Sequence, residues 1–122
     1  LRDFKARFRR EPEGMWLPET AVDLETLDVL AEHDIRFTVL APHQAKVPAG
    51  TLDCTRPYRV QLPSGRSIAV FFYDGPVSRA VAFEHLLGSG ERFLSRLLSA
   101  FPSDGGRGDA QLVHIATDGE TY

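Results

Sequence analysis

The sequence has a single cysteine, Cys54, so an intramolecular disulfide framework is excluded and there is no CxxC pair to hold a metal. No apolar run approaches the roughly 20 residues of a membrane-spanning helix, and the basic N-terminus has no apolar core of the signal-peptide kind. The four histidines show neither HxxxH nor HExxH spacing, which argues against a zinc site. No internal repeat is visible. A strong excess of charge is also missing. The formal net charge is −3, which gives no electrostatic reason to expect nucleic acid or an anionic membrane as partner. The cysteine usage leans to the cytoplasm, and nothing in the sequence sets an oligomeric state.

What is present is an ordinary soluble composition, 43% hydrophobic and 25% charged over 122 residues, enough for one domain. There is no initiating Met, residues 2 to 10 read as the tail of a helix, and the C-terminus follows closely on a strand-like run. These ends are expected to be cuts, making residues 1–122 a piece of a single domain truncated at both ends.

Periodicity orders the chain. Basic residues Arg2, Lys5, Arg7, Arg9 and Arg10 read as the solvated face of a helix whose apolar side is Phe4 and Phe8. Glu11-Pro-Glu-Gly14 is loop chemistry, and Met15-Trp-Leu17 is a short apolar run stopped by Pro18. A helix is expected from about Asp23 to about His33, its start marked by the Thr20-x-x-Asp23 spacing or by Asp23 as cap, with Leu24, Leu27, Leu30 and Ala31 on one face. Residues 35–40 (IRFTVL) predict a strand and residues 43–57 a long loop. Tyr58–Leu62, the Pro63-Ser-Gly65 turn and residues 67–73 (SIAVFFY) predict a hairpin that continues into a buried strand. Asp74-Gly-Pro76 opens a helix to about Leu87, with Gly88 as its stop. Residues 90–101 form another, with Phe93, Leu94, Leu97, Leu98 and Phe101 in one stripe. Ser103–Asp109 is a Gly-rich loop, and residues 111–116 (QLVHIA) are a last buried strand. Strands alternating with helices, with continuous apolar runs, predict an α/β fold with a mostly parallel sheet.

In parallel α/β folds function gathers at the carboxyl ends of the strands. His43 and Gln44, then Asp74, then Asp118 and Glu120, each follow a strand-like run, and Glu19 follows the short run containing Trp16. Topology therefore places Glu19, His43, Asp74 and Asp118 on one rim. Two carboxylates beside an aromatic ring suit glycosidic bond cleavage, in which one attacks or stabilises the sugar cation and the other donates a proton to the leaving oxygen. Each also has a bland role: Asp74 as a helix cap, Glu19 as a first-turn acid, His43 and Gln44 as loop hydrogen-bonders. His33 suits a helix C-terminus, His114 suits a hydrogen-bonded core position, and His85 lies on a helix away from the rim.

The run Gly14-Met-Trp-Leu-Pro-Glu19 resembles the third conserved region of glycoside hydrolase family 57, whose Trp-Leu-x-Glu core carries the nucleophile. Residues 14–45 as a whole look like its alpha-amylase/alpha-mannosidase-like bacterial branch. HIATDGETY at the C-terminus resembles the fourth region, whose Asp-Gly-Glu supplies the general acid/base. Residues 71–83 (FFYDGPVSRAVAF) are similar to a family stretch in which an Asp before a helix and a following Ser-Arg lie near the sugar. The resemblance implies an incomplete (β/α)7 barrel and a retaining glycoside hydrolase or transglycosylase acting on alpha-linked glycans, without metal or organic cofactor. It makes Glu19 the nucleophile and Asp118 the acid/base, expected to stand roughly 5–5.5 Å apart. Arg79 joins Trp16, His43, Gln44, Asp74 and Glu120 as expected substrate contacts. Asp118 would have to be protonated near neutrality, for which burial at the end of an apolar strand is the expected cause. The family's His-Gln-Pro region lies outside the chain, and the piece alone is expected to be inactive. Two alternatives stand beside this: a degenerate carbohydrate-binding domain, and a polysaccharide deacetylase-like barrel, whose Asp and two helically spaced His this sequence does not supply.

Overall fold

The computed structural model describes residues 1–48, 50, 52–101 and 110–121. The predicted Gly-rich loop, Ser103–Asp109, lies outside the described residues. The chain forms two compact units, one of residues 1–40 and 57–71, the other of residues 41–56 and 72–122.

The first unit opens with α1 (Arg2–Phe8), where Phe4 and Phe8 bring their rings to 4.6 Å and Arg7 pairs with Asp3 across one turn. β1 is only Gly14–Met15 and runs parallel to β2 (Phe37–Leu40), with Gly14 opposite Phe37 and Met15 opposite Thr38. Between them, α2 (Leu24–Glu32) is capped by Asp23, whose carboxylate accepts from the Thr26 N–H at 2.7 Å. That bond satisfies one of the donors a helix start leaves open, and it holds the Asp23 carboxyl below its ordinary range. His33 closes the helix, and Asp34, at φ 62°, turns the chain into β2.

β3 (Tyr58–Gln61) and β4 (Ser67–Phe72) pair antiparallel as predicted. Gly65 sits in their turn at φ 86°, a conformation that a side chain would strain, and its N–H donates to Leu62 O at 2.9 Å. The Ser64 hydroxyl in the same turn donates to Asp28 of α2 at 2.5 Å, fastening hairpin to helix. The sheet order is β1-β2-β4-β3, mostly parallel, and the Ala69 N–H of β4 donates to Arg36 O beside β2 at 2.9 Å. Leu17, Leu27, Leu30, Ile35, Leu62 and Ile68 form the core where α2 covers the sheet. Each such side chain contributes about 1.5–3 kcal/mol by leaving water.

In the second unit, α3 (Gly75–Phe83) packs Val77, Ala80 and Val81 against Leu86, with Phe93 and Leu97 of α4 (Gly90–Ser99) closing over them. The helix expected to reach Leu87 ends at Phe83, and a separate short turn follows at Leu86–Gly88. His85 adopts φ 50° there. A left-handed residue just past the last turn is a common helix stop that glycine usually supplies, so a histidine gave no signal. Leu94 and Leu98, on the predicted stripe of α4, are exposed.

Residues 111–116, the last expected strand, have no strand assigned. They are held instead at alternate positions. Leu112 N–H donates to Thr55 O at 2.9 Å, Asp74 N–H donates to His114 O at 2.8 Å, and Ala116 N–H donates to the Ser78 hydroxyl at 3.1 Å. Two of these partners are loop and side-chain groups, so no continuous ladder forms. Burial pushes the His114 imidazole below its ordinary 6.5, against a hydrogen bond with the Phe72 backbone and the charge of Asp74, which both pull it up.

Two outcomes follow from this packing. A Cβ on Gly14 would lie 2.3 Å from the Phe37 ring, so Gly14→Ala must displace that ring from its edge contact with Phe71, at 5.6 Å. Urea unfolding should show a loss of about 1–3 kcal/mol, which Phe37→Ala in the same chain largely relieves. Because folding depresses the His114 imidazole, its neutral form is the one the fold favours. The corresponding stability is fully present above the unfolded value near 6.5 and is lost as pH falls through and below it. The urea midpoint should therefore decline between about pH 7.5 and 5, and His114→Gln should flatten that decline.

Candidate active site

In the first unit, the route to Glu19 starts at Thr38. Its side chain is fully buried, and its hydroxyl donates to Met15 O at 2.8 Å, fixing the end of β1. Leu17 then drops into the core while Trp16 stays 51% exposed. Pro18 opens a turn closed by Thr20 N–H to Leu17 O and Ala21 N–H to Pro18 O, both at 3.0 Å. Within it Glu19 sits at φ 54°, ψ 19° and Thr20 at φ 50°. Two successive residues with side chains in the left-handed region are costly, by about 1–2 kcal/mol each, and such outliers gather at functional sites. The Glu19 carboxylate is exposed at the carboxyl end of β1, before α2. Trp16 borders an open, mainly apolar depression of about 420 Å³ with Phe4, Met15, Phe37 and Val39.

The other predicted residues lie in the second unit. Asp74 caps α3, its carboxylate accepting from the Val77 N–H at 2.7 Å, and is partly exposed. His43 and Gln44 lie in a short turn, Pro42–Gln44. Gln44 turns its side-chain oxygen inward to accept from Ala41 N–H at 2.9 Å, while His43 stays exposed. Pro42 of this turn lies 3.7 Å from where a Gly75 side chain would begin, so His43 and Asp74 occupy neighbouring loops. Arg79 is different. It is well exposed on α3, with its guanidinium 3.9 Å from Glu84 and 5.8 Å over the Phe83 ring, toward the helix end opposite Asp74. Asp118 and Glu120 are exposed, in a turn closed by Thr121 N–H to Asp118 O at 3.0 Å. The burial expected around Asp118 is thus not supplied by its own unit, because the chain leaves the core at Ala116 and enters a surface turn.

Sequence reasoning missed a cavity of about 400 Å³ lined by Asp53, Cys54, Thr55, Asp74, Phe101 and His114. Asp53 shapes its rim, accepting from the Thr55 N–H at 2.9 Å, the Thr55 hydroxyl at 2.6 Å and the Arg56 guanidinium at 3.0 Å. The Thr55 hydroxyl, with Arg56, holds the Asp53 carboxyl below its ordinary range, and burial followed by the charges of Asp74 and Asp53 pushes the Cys54 thiol up. The thiol therefore stays protonated at neutral pH, not a nucleophile. Asp53–Thr55, Asp74, Phe101 and His114 come from four stretches 13 to 61 positions apart, so only an Asp-x-Thr turn signal was available locally. Among the described residues there is no group of three or more His, Cys, Asp or Glu placed to hold a metal ion, and no helix long and apolar enough to cross a membrane.

No curated protein sequence matches the chain. Among solved structures it is similar to the 4-alpha-glucanotransferase from Thermococcus litoralis, at 20% identity and a TM-score of 0.68. The match covers 93% of this chain and 17% of that one, and at this identity it speaks to the fold alone. A sequence model of the whole family, glycosyl hydrolase family 57, matches residues 3–122. With the Trp16-Leu17-Pro18-Glu19 turn at one end and Asp118-Gly119-Glu120 at the other inside that match, the chain belongs to glycosyl hydrolase family 57.

Proposed function

We propose that this chain is part of a retaining glycoside hydrolase or transglycosylase that acts on alpha-linked glucans, and that its sheet belongs to an incomplete (β/α)7 barrel. The chain spans 17% of the length of the glucanotransferase it resembles, so the reaction is that of a larger protein. The observation that carries the reading is Glu19 itself: a glutamate in a run that resembles the family's Trp-Leu-x-Glu motif, held in a left-handed turn at the end of a strand, where glycine or asparagine would be cheaper.

In this reading the Glu19 carboxylate attacks the anomeric carbon. The bond from that carbon to the leaving oxygen breaks, the electron pair stays on the oxygen, and Asp118 supplies its proton. Asp118, now ionised, takes a proton from water or from an acceptor sugar hydroxyl, whose oxygen displaces Glu19 and restores both groups. Water gives hydrolysis and a sugar hydroxyl gives transfer. Trp16 offers an exposed ring for stacking on a sugar face, and His43, Asp74 and Glu120 offer hydrogen bonds to hydroxyls. Gln44 has its amide oxygen committed to the Ala41 N–H. Arg79 would reach substrate by leaving the Glu84 and Phe83 side of α3.

In the full-length enzyme, Glu19→Gln should abolish turnover while leaving sugar binding largely intact, as measured by calorimetry with a maltooligosaccharide. Weak binding together with normal turnover would sink the assignment. Glu19→Gly separates chemistry from backbone cost. It should also be inactive, yet keep or raise the unfolding free energy by up to about 1 kcal/mol, because it relieves the left-handed residue. Glu19→Ala, which retains the Cβ, should gain nothing in the same urea titration.

A further inference from the structure

Hydrogen bonds of different kinds hold the segment leading to Asp118. Leu112 and His114 are held through backbone groups, of Thr55 and Asp74. Ala116, two residues before Asp118, is held by a side chain, with its N–H donating to the Ser78 hydroxyl at 3.1 Å across 38 positions of sequence. Ser78 is buried, 5% exposed, in the first turns of α3. Its hydroxyl donates its one proton to Asp74 O at 2.6 Å, the carbonyl four residues back. That donation fixes the rotamer and leaves the oxygen lone pairs facing outward, which is the orientation an incoming N–H requires. Asp74 is itself pinned twice more, by its cap to Val77 N–H and by donating to His114 O. A rigid helix start therefore sets the height of Ala116, two residues before the turn that Thr121 N–H closes on Asp118 O.

We propose that Ser78 is a positioning residue for Asp118: a buried hydroxyl that never meets the sugar but fixes the backbone at Ala116, just before the turn from which the acid/base side chain projects. This rests on the reading of Asp118 as the acid/base given above. A general acid acts only within hydrogen-bond reach of the leaving oxygen, and a displacement of about 1 Å can cost on the order of a hundredfold in rate. Loss of Ser78 should therefore slow the proton-dependent step selectively, and not depress all reactions alike.

The test uses the full-length enzyme and a series of aryl alpha-maltosides with good and poor leaving groups. Ser78→Ala should lower kcat/KM on the order of ten- to a hundredfold for the poorest leaving group, and by a few-fold at most for the best. Asp118→Asn should show the same selectivity more strongly. Amide exchange at Ala116 should speed up in Ser78→Ala. Ser78→Thr, whose hydroxyl can make the same bond to the carbonyl four residues back, should restore the parent pattern. Where Ser78→Ala does not fold, Ser78→Cys fills the site with a poor acceptor and is read the same way. A selective Asp118→Asn with a Ser78 variant that slows every substrate equally, or none, overturns the role of Ser78 and leaves Asp118 standing. An Asp118→Asn that is not selective overturns the acid/base assignment itself, and the Ser78 role with it.

Discussion

The first unit depends on one buried contact, the Thr38 hydroxyl donating to Met15 O. β1 is two residues long, and so short a strand has little ladder of its own to hold it. Gly14 lets the Phe37 ring lie flush on the backbone, and Thr38 fixes the next carbonyl from inside the sheet. With that point set, Leu17 can enter the core beside Leu27 and Leu30, and Pro18 must turn away from it. Glu19 is the consequence. Its carboxylate is presented by a turn whose bonds begin at a core residue, so the strain of the turn is offset by burial elsewhere.

The second unit solves a similar problem with different means. Its candidate acid lies after a segment with no assigned strand, and α3 takes the place of a neighbouring ladder. The helix start is overdetermined: Asp74 caps it, Pro76 fits its first turn, and Ser78 bonds back to Asp74. These bonds make the helix N-terminus a rigid post to which residues 114 and 116 are tied. A hydroxyl in that role is economical, since one atom donates within the helix and accepts from outside it. In both units, then, the candidate carboxylate sits on a short turn, and what is rigid is the strand end or helix start just before it. This is the arrangement expected where a side chain must be placed accurately on a segment too short to be stable alone.

Much of this was written locally. The Asp23 and Asp74 caps, the apolar face of α2, and the hairpin around Pro63-Ser-Gly65 all depend on residues within a few positions of each other. The forces concerned are hydrogen bonds to the nearest free N–H and the periodic burial of side chains. The two family motifs were likewise legible, because each is a contiguous run, and they sufficed to identify the family that the match over residues 3–122 bears out. Which carboxylates belong to the candidate site was therefore proposed from sequence; how the backbone holds them was not.

What the sequence by itself determined is the helix starts, the strands β2 to β4, their order and the motif residues, since those follow from local propensity and pattern. Only the tertiary structure decided the left-handed turn at Glu19 and Thr20, the helix stop at His85, and the tying of Ala116 to Ser78 in place of a strand ladder. None of these has a local signature. Glutamate and threonine do not favour positive φ, and they adopt it only because packing on either side leaves the chain no cheaper path. The Met15–Thr38 and Ser78–Ala116 bonds join groups 23 and 38 residues apart. Their energy appears only once the core has brought those groups together, so no window of sequence contains them.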